Sequence, residues 1–161
     1  MTIRRVLSAA AIAAALTLTG CGVVNNSEST KLGFDDAQAQ ALSLRDEIEK
    51  TLPDGVALGS SDNDIRIPCG DDAAQFDGNR TVTVSDGFDR AAWLDSVAGR
   101  FETRDGWTVQ KKVAADGSSD ATSGVSMTSA DGYYVRLGEF SETSTGGPVV
   151  VLSASGPCVE V

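Results

Sequence analysis

The side chains that could do chemistry in this chain form a limited set. There are three cysteines, 23 acidic residues and no histidine among 161 positions. Without imidazole there can be no Ser-His-Asp or Cys-His relay and no His-ligated metal site. The nucleophile elbow G-x-S-x-G and the phosphate-cradling loop G-x-x-x-x-G-K-[ST] are both absent from the sequence. Ser61-Asp62-Asn63 matches one fragment of penicillin-binding enzymes, but neither S-x-x-K nor K-T-G accompanies it. Asp62-Asn63-Asp64 and the run Asp116 to Asp120 have the acid spacing that opens a calcium loop. The sharp turn at the sixth position needs Gly, and these runs place Ile67 and Ala121 there. Asp71, Asp72 and Asp77 are close in sequence and read as a solvated polar loop. A pair of carboxylates with separated pKa values is the remaining enzymatic route, that of a His-free hydrolase. No acid spacing marks such a pair. The expectation is therefore a protein that is not an enzyme, with no catalytic residue, no metal ligand and no cofactor.

Cys21 is different because of what precedes it. Met1 to Arg5 is a short basic segment, and Val6 to Leu18 is a 13-residue apolar run. Such a run suits a signal-peptide core and falls short of the ~20 residues a spanning helix needs. Leu18-Thr19-Gly20-Cys21 follows directly. The order of these parts resembles the lipobox leader of bacterial lipoproteins. The resemblance covers only the leader. It implies that residues 1–20 are a signal peptide cut off before Cys21, that the Cys21 thiol carries diacylglycerol, and that its new amino group can take a further acyl chain such as palmitate. One acyl chain holds a protein marginally and two hold it stably, at ~0.8 kcal/mol per buried methylene. The expected location is thus the cell membrane, lipid-anchored on its extracytoplasmic face. Residues 21–33 are small and polar and read as a flexible tether. Abundant Ala, Gly, Asp, Val and Thr, with more Arg than Lys, give a composition similar to that of small actinobacterial lipoproteins.

Charge agrees with this anchor. Net charge is −10; removing Arg4 and Arg5 with the leader leaves 11 basic against 23 acidic residues, or −12. A surface so acidic excludes nucleic acid as a partner and does not adhere electrostatically to anionic lipid. Attachment must come from the acyl chains.

Residues 34–161 read as a single α+β domain. Ala37, Ala41, Leu44, Ile48 and Leu52 recur on one face of a helix. Asp35 is the expected cap, Arg45/Glu49 and Asp46/Lys50 are i,i+4 pairs, and Pro53 is the stop. Ile65, Ile67 and Cys69 alternate with polar residues as in a half-buried strand, and Val82 and Val84 face inward on the next. Leu94, Val97, Ala98 and Phe101, with Trp93 beside them, give a second helix. Asp89 stands at its start, Arg100 and Arg104 near its end, and Gly106 beyond it. Four strands follow. Trp107, Val109 and Val113 share a face with Lys111. Val125, Met127, Tyr133, Val135 and Leu137 flank Asp131-Gly132, a hairpin turn that asks for positive φ. The last run, Val149 to Val161, is nearly all apolar and should be central.

The order α-β-β-α-β-β-β-β with short connections predicts a two-layer sandwich: an antiparallel sheet of about six strands with two helices on one face. An exported domain meets an oxidising environment, so Cys69 and Cys158 should form a disulfide and bring the first and last strands together, as neighbours in the sheet. The helix-free sheet face is left uncovered, with one of Tyr133 and Tyr134 on it, and is the expected partner surface. The functional expectation is a membrane-anchored cell-envelope module that binds an envelope protein or glycan. The alternative is a small carrier of an apolar ligand such as a lipid, which needs an enclosed cavity of roughly 300 Å³ or more.

Overall fold

In the computed structural model, described over residues 32–113, 123–139 and 146–161, two helices and seven strands build an α+β sandwich. The elements are α1 (Phe34–Glu49), β1 (Ala57–Gly70), β2 (Ala73–Val84), α2 (Arg90–Glu102), β3 (Trp107–Val113), β4 (Ser123–Ser129), β5 (Tyr134–Glu139), β6 (Val149–Ser155) and β7 (Val159–Glu160). Every pairing is antiparallel, in the order β1-β2-β6-β5-β4-β3. β7 continues along β2 beyond the end of β6. Leader, lipobox and Cys21 lie outside the described residues, as do residues 114–122 and 140–145 of the two expected turn segments.

Both helices form where their apolar stripes require. Ala37, Ala41, Leu44 and Ile48 of α1 are buried, as are Trp93, Leu94, Val97, Ala98 and Phe101 of α2. They pack on Val82, Val84, Val125, Met127, Val135, Leu137, Val150, Leu152 and Ala154, which project from one side of the sheet. Burying a side chain of this size contributes ~1.5–3 kcal/mol. α1 lies over β2 and β6, and α2 over β3, β4 and β5. The Asp89 carboxylate caps α2 by accepting from the Ala92 amide at 2.9 Å. The cap of α1 is Gly33, not Asp35, and no side chain bonds to it.

The first hairpin differs most from expectation. β1 and β2 run 14 and 12 residues, so the segment read as a polar loop, through Gln75, Asp77 and Asn79, is strand. Only Asp71 and Asp72 separate the two strands. β1 is also not half-buried. All its residues are exposed, with Ile65 at 46% and Ile67 at 38%. The inward positions belong to Asp62 and Asp64, because Arg45 of α1 is buried at 2% exposure and needs their carboxylates. A charge of that kind stays in a core only when paired.

β6 is central, between β2 and β5, as expected. The apolar run breaks at Gly156-Pro157, which makes β7 a separate strand. Cys69 and Cys158 are disulfide-bonded, with Cα atoms 6.1 Å apart. The strands they tie, β1 and β7, are not neighbours, since β2 runs between them. In the β4–β5 turn Gly132 alone needs the left-handed region, at φ 86°. Its amide donates to the Ser129 carbonyl at 3.1 Å, and the Ser129 amide to the Tyr133 carbonyl at 2.9 Å. This is a three-residue loop, in which Asp131 can keep ordinary dihedrals.

Candidate functional site

Two groups of polar side chains stand out, one on each side of the sheet. On the helix side Arg45 donates to Asp64 at 2.6 Å and to Asp62 at 3.1 Å. Asp62 also accepts two bonds of 2.7 Å from Arg80, whose third nitrogen donates to Asp46 at 2.9 Å and Glu49 at 2.5 Å. The network ties α1 to the first hairpin. It replaces the expected pairings of Arg45 with Glu49 and of Asp46 with Lys50.

The hydrogen bonds from Arg80 hold the Asp62 carboxyl below the usual carboxylate range. Burial opposes that shift, and the charges of Arg45 and Arg80 add to it. The Arg80 guanidinium is correspondingly pushed up, first by Asp62. A carboxylate so committed is a poor general acid near neutral pH. Asp71 and Asp72 are exposed at the hairpin turn, while Asp77 lies in β2. Among the described residues, no three His, Cys, Asp or Glu side chains converge as metal ligands.

The other side of the sheet is uncovered by the helices. Alternation along each strand places there Asn63, Ile65 and Ile67 of β1 and Gln75, Asp77, Asn79 and Thr81 of β2. From β6 come Val151, Ser153 and Ser155, from β5 Tyr134, Arg136 and Gly138, and from β4 Gly124, Ser126 and Thr128. Register aligns them in rows. One runs Asn63, Asn79, Ser153, Arg136, Ser126, Gln110 across six strands. The next runs Asp77, Ser155, Tyr134, Thr128, Thr108.

Arg136 sits near the middle of the first row. Val135 and Leu137 on either side of it are buried in the core, so its own side chain must point outward. Among the described residues it has no acidic partner. Beside it Gly138 and Gly124 are paired across β5 and β4. Where Gly138 lacks a side chain there is a shallow hollow of about 160 Å³, lined by Asn79, Arg136, Gly138, Val151 and Ser153. Its polar wall is preset by the contact of the Ser153 hydroxyl with the Asn79 side-chain oxygen, and in the next row Ser155 donates to Asp77 at 2.5 Å. A free guanidinium beside hydroxyl and amide groups can grip a carboxylate or phosphate while the row beside it hydrogen-bonds hydroxyls.

Tyr134 is the tyrosine on this face, at 37% exposure, and Tyr133 is buried at 8%. Trp93 is core, and Trp107 packs at its edge against Phe101, ring centres 4.7 Å apart. Lys111, the exception on its face, reaches to 3.5 Å from both Asp95 and Glu102 of α2. The space between helices and sheet is filled by Leu44, Ile48, Met127, Leu137 and Leu152, each under 2% exposed. A groove of about 690 Å³ lies on the outside of the helix layer, lined by Asp46, Glu47, Lys50 and Arg100 among others.

Arg136 was not among the candidate residues of the sequence. The signal was there, as an arginine alternating with Val135 and Leu137 in a strand next to the central one. Compared with known protein families, curated proteins and solved structures, the chain finds no match.

Proposed function

We propose that this protein is a lipid-anchored lipoprotein of the cell envelope and a non-enzymatic binding module. Its open sheet face would engage an acid-bearing envelope glycan. The observation that carries the binding role is the hollow at Arg136, a cation with no acidic partner among the described residues, on a sheet face that no helix covers. The anchor rests on the order of basic segment, apolar run and Leu18-Thr19-Gly20-Cys21, and the disulfide Cys69–Cys158 suits an exported domain. The filled space between helices and sheet favours surface binding over the carriage of an apolar ligand inside.

The test is co-sedimentation of the full chain with purified cell-wall glycan, comparing wild type with Arg136→Ala. Binding that weakens in the variant, with thermal unfolding unchanged, supports the reading. Equal binding by both, or none by wild type, removes it. For the anchor, labelling cells with a palmitate analogue should tag wild type and leave Cys21→Ala unlabelled.

A further inference from the structure

The two edges of the sheet are built differently. β3 is seven residues long and carries adjacent lysines, Lys111 and Lys112, the usual protection of an edge against pairing. β1 is 14 residues long, pairs among the described residues only with β2, and exposes both Ile65 and Ile67. Its register irregularities fall between Ala57 and Gly59 and between Pro68 and Gly70, so the stretch between is regular and able to pair again. Arg66, in the middle of it, lies 4.6 Å over the Phe34 ring and is shown no acidic partner.

We propose that β1 pairs antiparallel with β1 of a second copy, about a two-fold axis through Ile65. In that register Ile65 faces its own copy. Asp64 faces Arg66 on both sides of the axis, and Asn63 faces Ile67. Ile65 and Ile67 of both chains then make a four-residue apolar cluster on the open face, and two Asp64–Arg66 pairs close the helix side. Directly opposed side chains lie ≈ 4.5–5.5 Å apart, within contact.

Charge selects this register over its neighbours. Moving the axis to Asp64 opposes two aspartates, and moving it to Arg66 opposes two arginines, both unfavourable across a strand pair. An odd slip would oppose Ile65 to a helix-side residue of the other copy. The two-fold stands perpendicular to the sheet and so keeps both helix layers on one side. Phe34, the first residue of α1, lies beneath Arg66 beside the axis. Both chains therefore enter their domains from the same side, which suits two copies held at one surface, although the pairing does not depend on lipid.

The test is disulfide trapping of the full chain in producing cells. Ile65→Cys should give a covalent homodimer, identified by mass and released by reductant. Gln110→Cys, on the opposite edge strand β3, should give none. Adding Arg66→Glu to Ile65→Cys opposes acid to acid and should abolish the dimer, with an unchanged circular dichroism spectrum showing the domain still folded. No cross-link at Ile65→Cys, a cross-link to a different protein, or an equal yield at Gln110→Cys overturns the proposal. None of these outcomes bears on glycan binding at Arg136.

Discussion

At the scale of single residues, Gly78 is a glycine that ordinary dihedrals do not make replaceable. Gly78 lies under the Phe76 ring on the helix side of β2. A Cβ there would come within 2.6 Å of Phe76 and 2.7 Å of the Asp64 carboxylate. Gly78→Ala must displace a core ring and an ion-paired acid together. It should destabilise the fold by ~1–3 kcal/mol, the range for overpacking, read as a lower urea midpoint with an unchanged slope. Asp62 gives a prediction with a sign. Its folded pKa lies below its unfolded one, so its stabilisation is complete above the unfolded carboxylate value and is lost as pH falls through the folded value. The melting-temperature gap between wild type and Asp62→Asn should therefore be constant from pH 7 to about 5 and close below about 4. A gap persisting at the lowest pH would show that Asp62 acts by packing and not by charge. The sequence held a clue to this network that periodicity alone passes over. Arg45 lies on the same stripe as Ala41, Leu44 and Ile48, and an arginine in an apolar stripe must be met by acids from elsewhere.

At the scale of elements, legibility followed how one-sided each pattern is. α1 and α2 each bury a single stripe at one period, and both stripes are where the spacing put them. Val82 and Val84 were equally plain, because the polar alternative at Thr81 and Thr83 offers nothing to a core. β1 could be read either way: Ile65 and Ile67 on one face, Asp62, Asp64 and Arg66 on the other. Apolar-inward is the usual choice, and it failed because the helix above presents Arg45. The open face was foreseeable from two helices on a six-strand sheet. Its hollow was not, since it depends on register bringing Asn79, Ser153 and Arg136 into one row beside Gly138. The hairpin's far end is fastened by the disulfide, across a sequence separation of 89. Both cysteines are exposed, so replacing them opens no cavity and the effect falls on the unfolded chain. Cys69→Ala with Cys158→Ala should lose about 4–5 kcal/mol by the chain-entropy model, measured by urea unfolding. Reductant should bring wild type down to the same midpoint, and a midpoint that does not move would mean the bridge constrains nothing.

At the scale of the whole molecule, anchor and fold are separable. The core cluster draws its residues from Ala41 to Ala154, with Phe34 the earliest to pack against it, and none of the described contributors precedes α1. The proposed lipid attachment at Cys21 lies 13 positions before Phe34. Acidic repulsion from an anionic bilayer would hold the −12 domain off the surface, since its long-range field is single-signed while the membrane's is of the same sign. On the proposed reading, the acyl chains then supply all of the attachment. Cys21→Ala should move the protein from the membrane fraction to the soluble fraction in one step, with the melting temperature and the urea midpoint unchanged. Raising salt screens the repulsion within a Debye length of about 10 Å at 0.1 M, yet salt should not return the variant to membranes, because a net charge of −12 leaves no net attraction for it to unmask. A variant that still fractionates with membranes would place the attachment in the folded domain. One that becomes soluble but melts earlier would show that residues before α1 belong to the core.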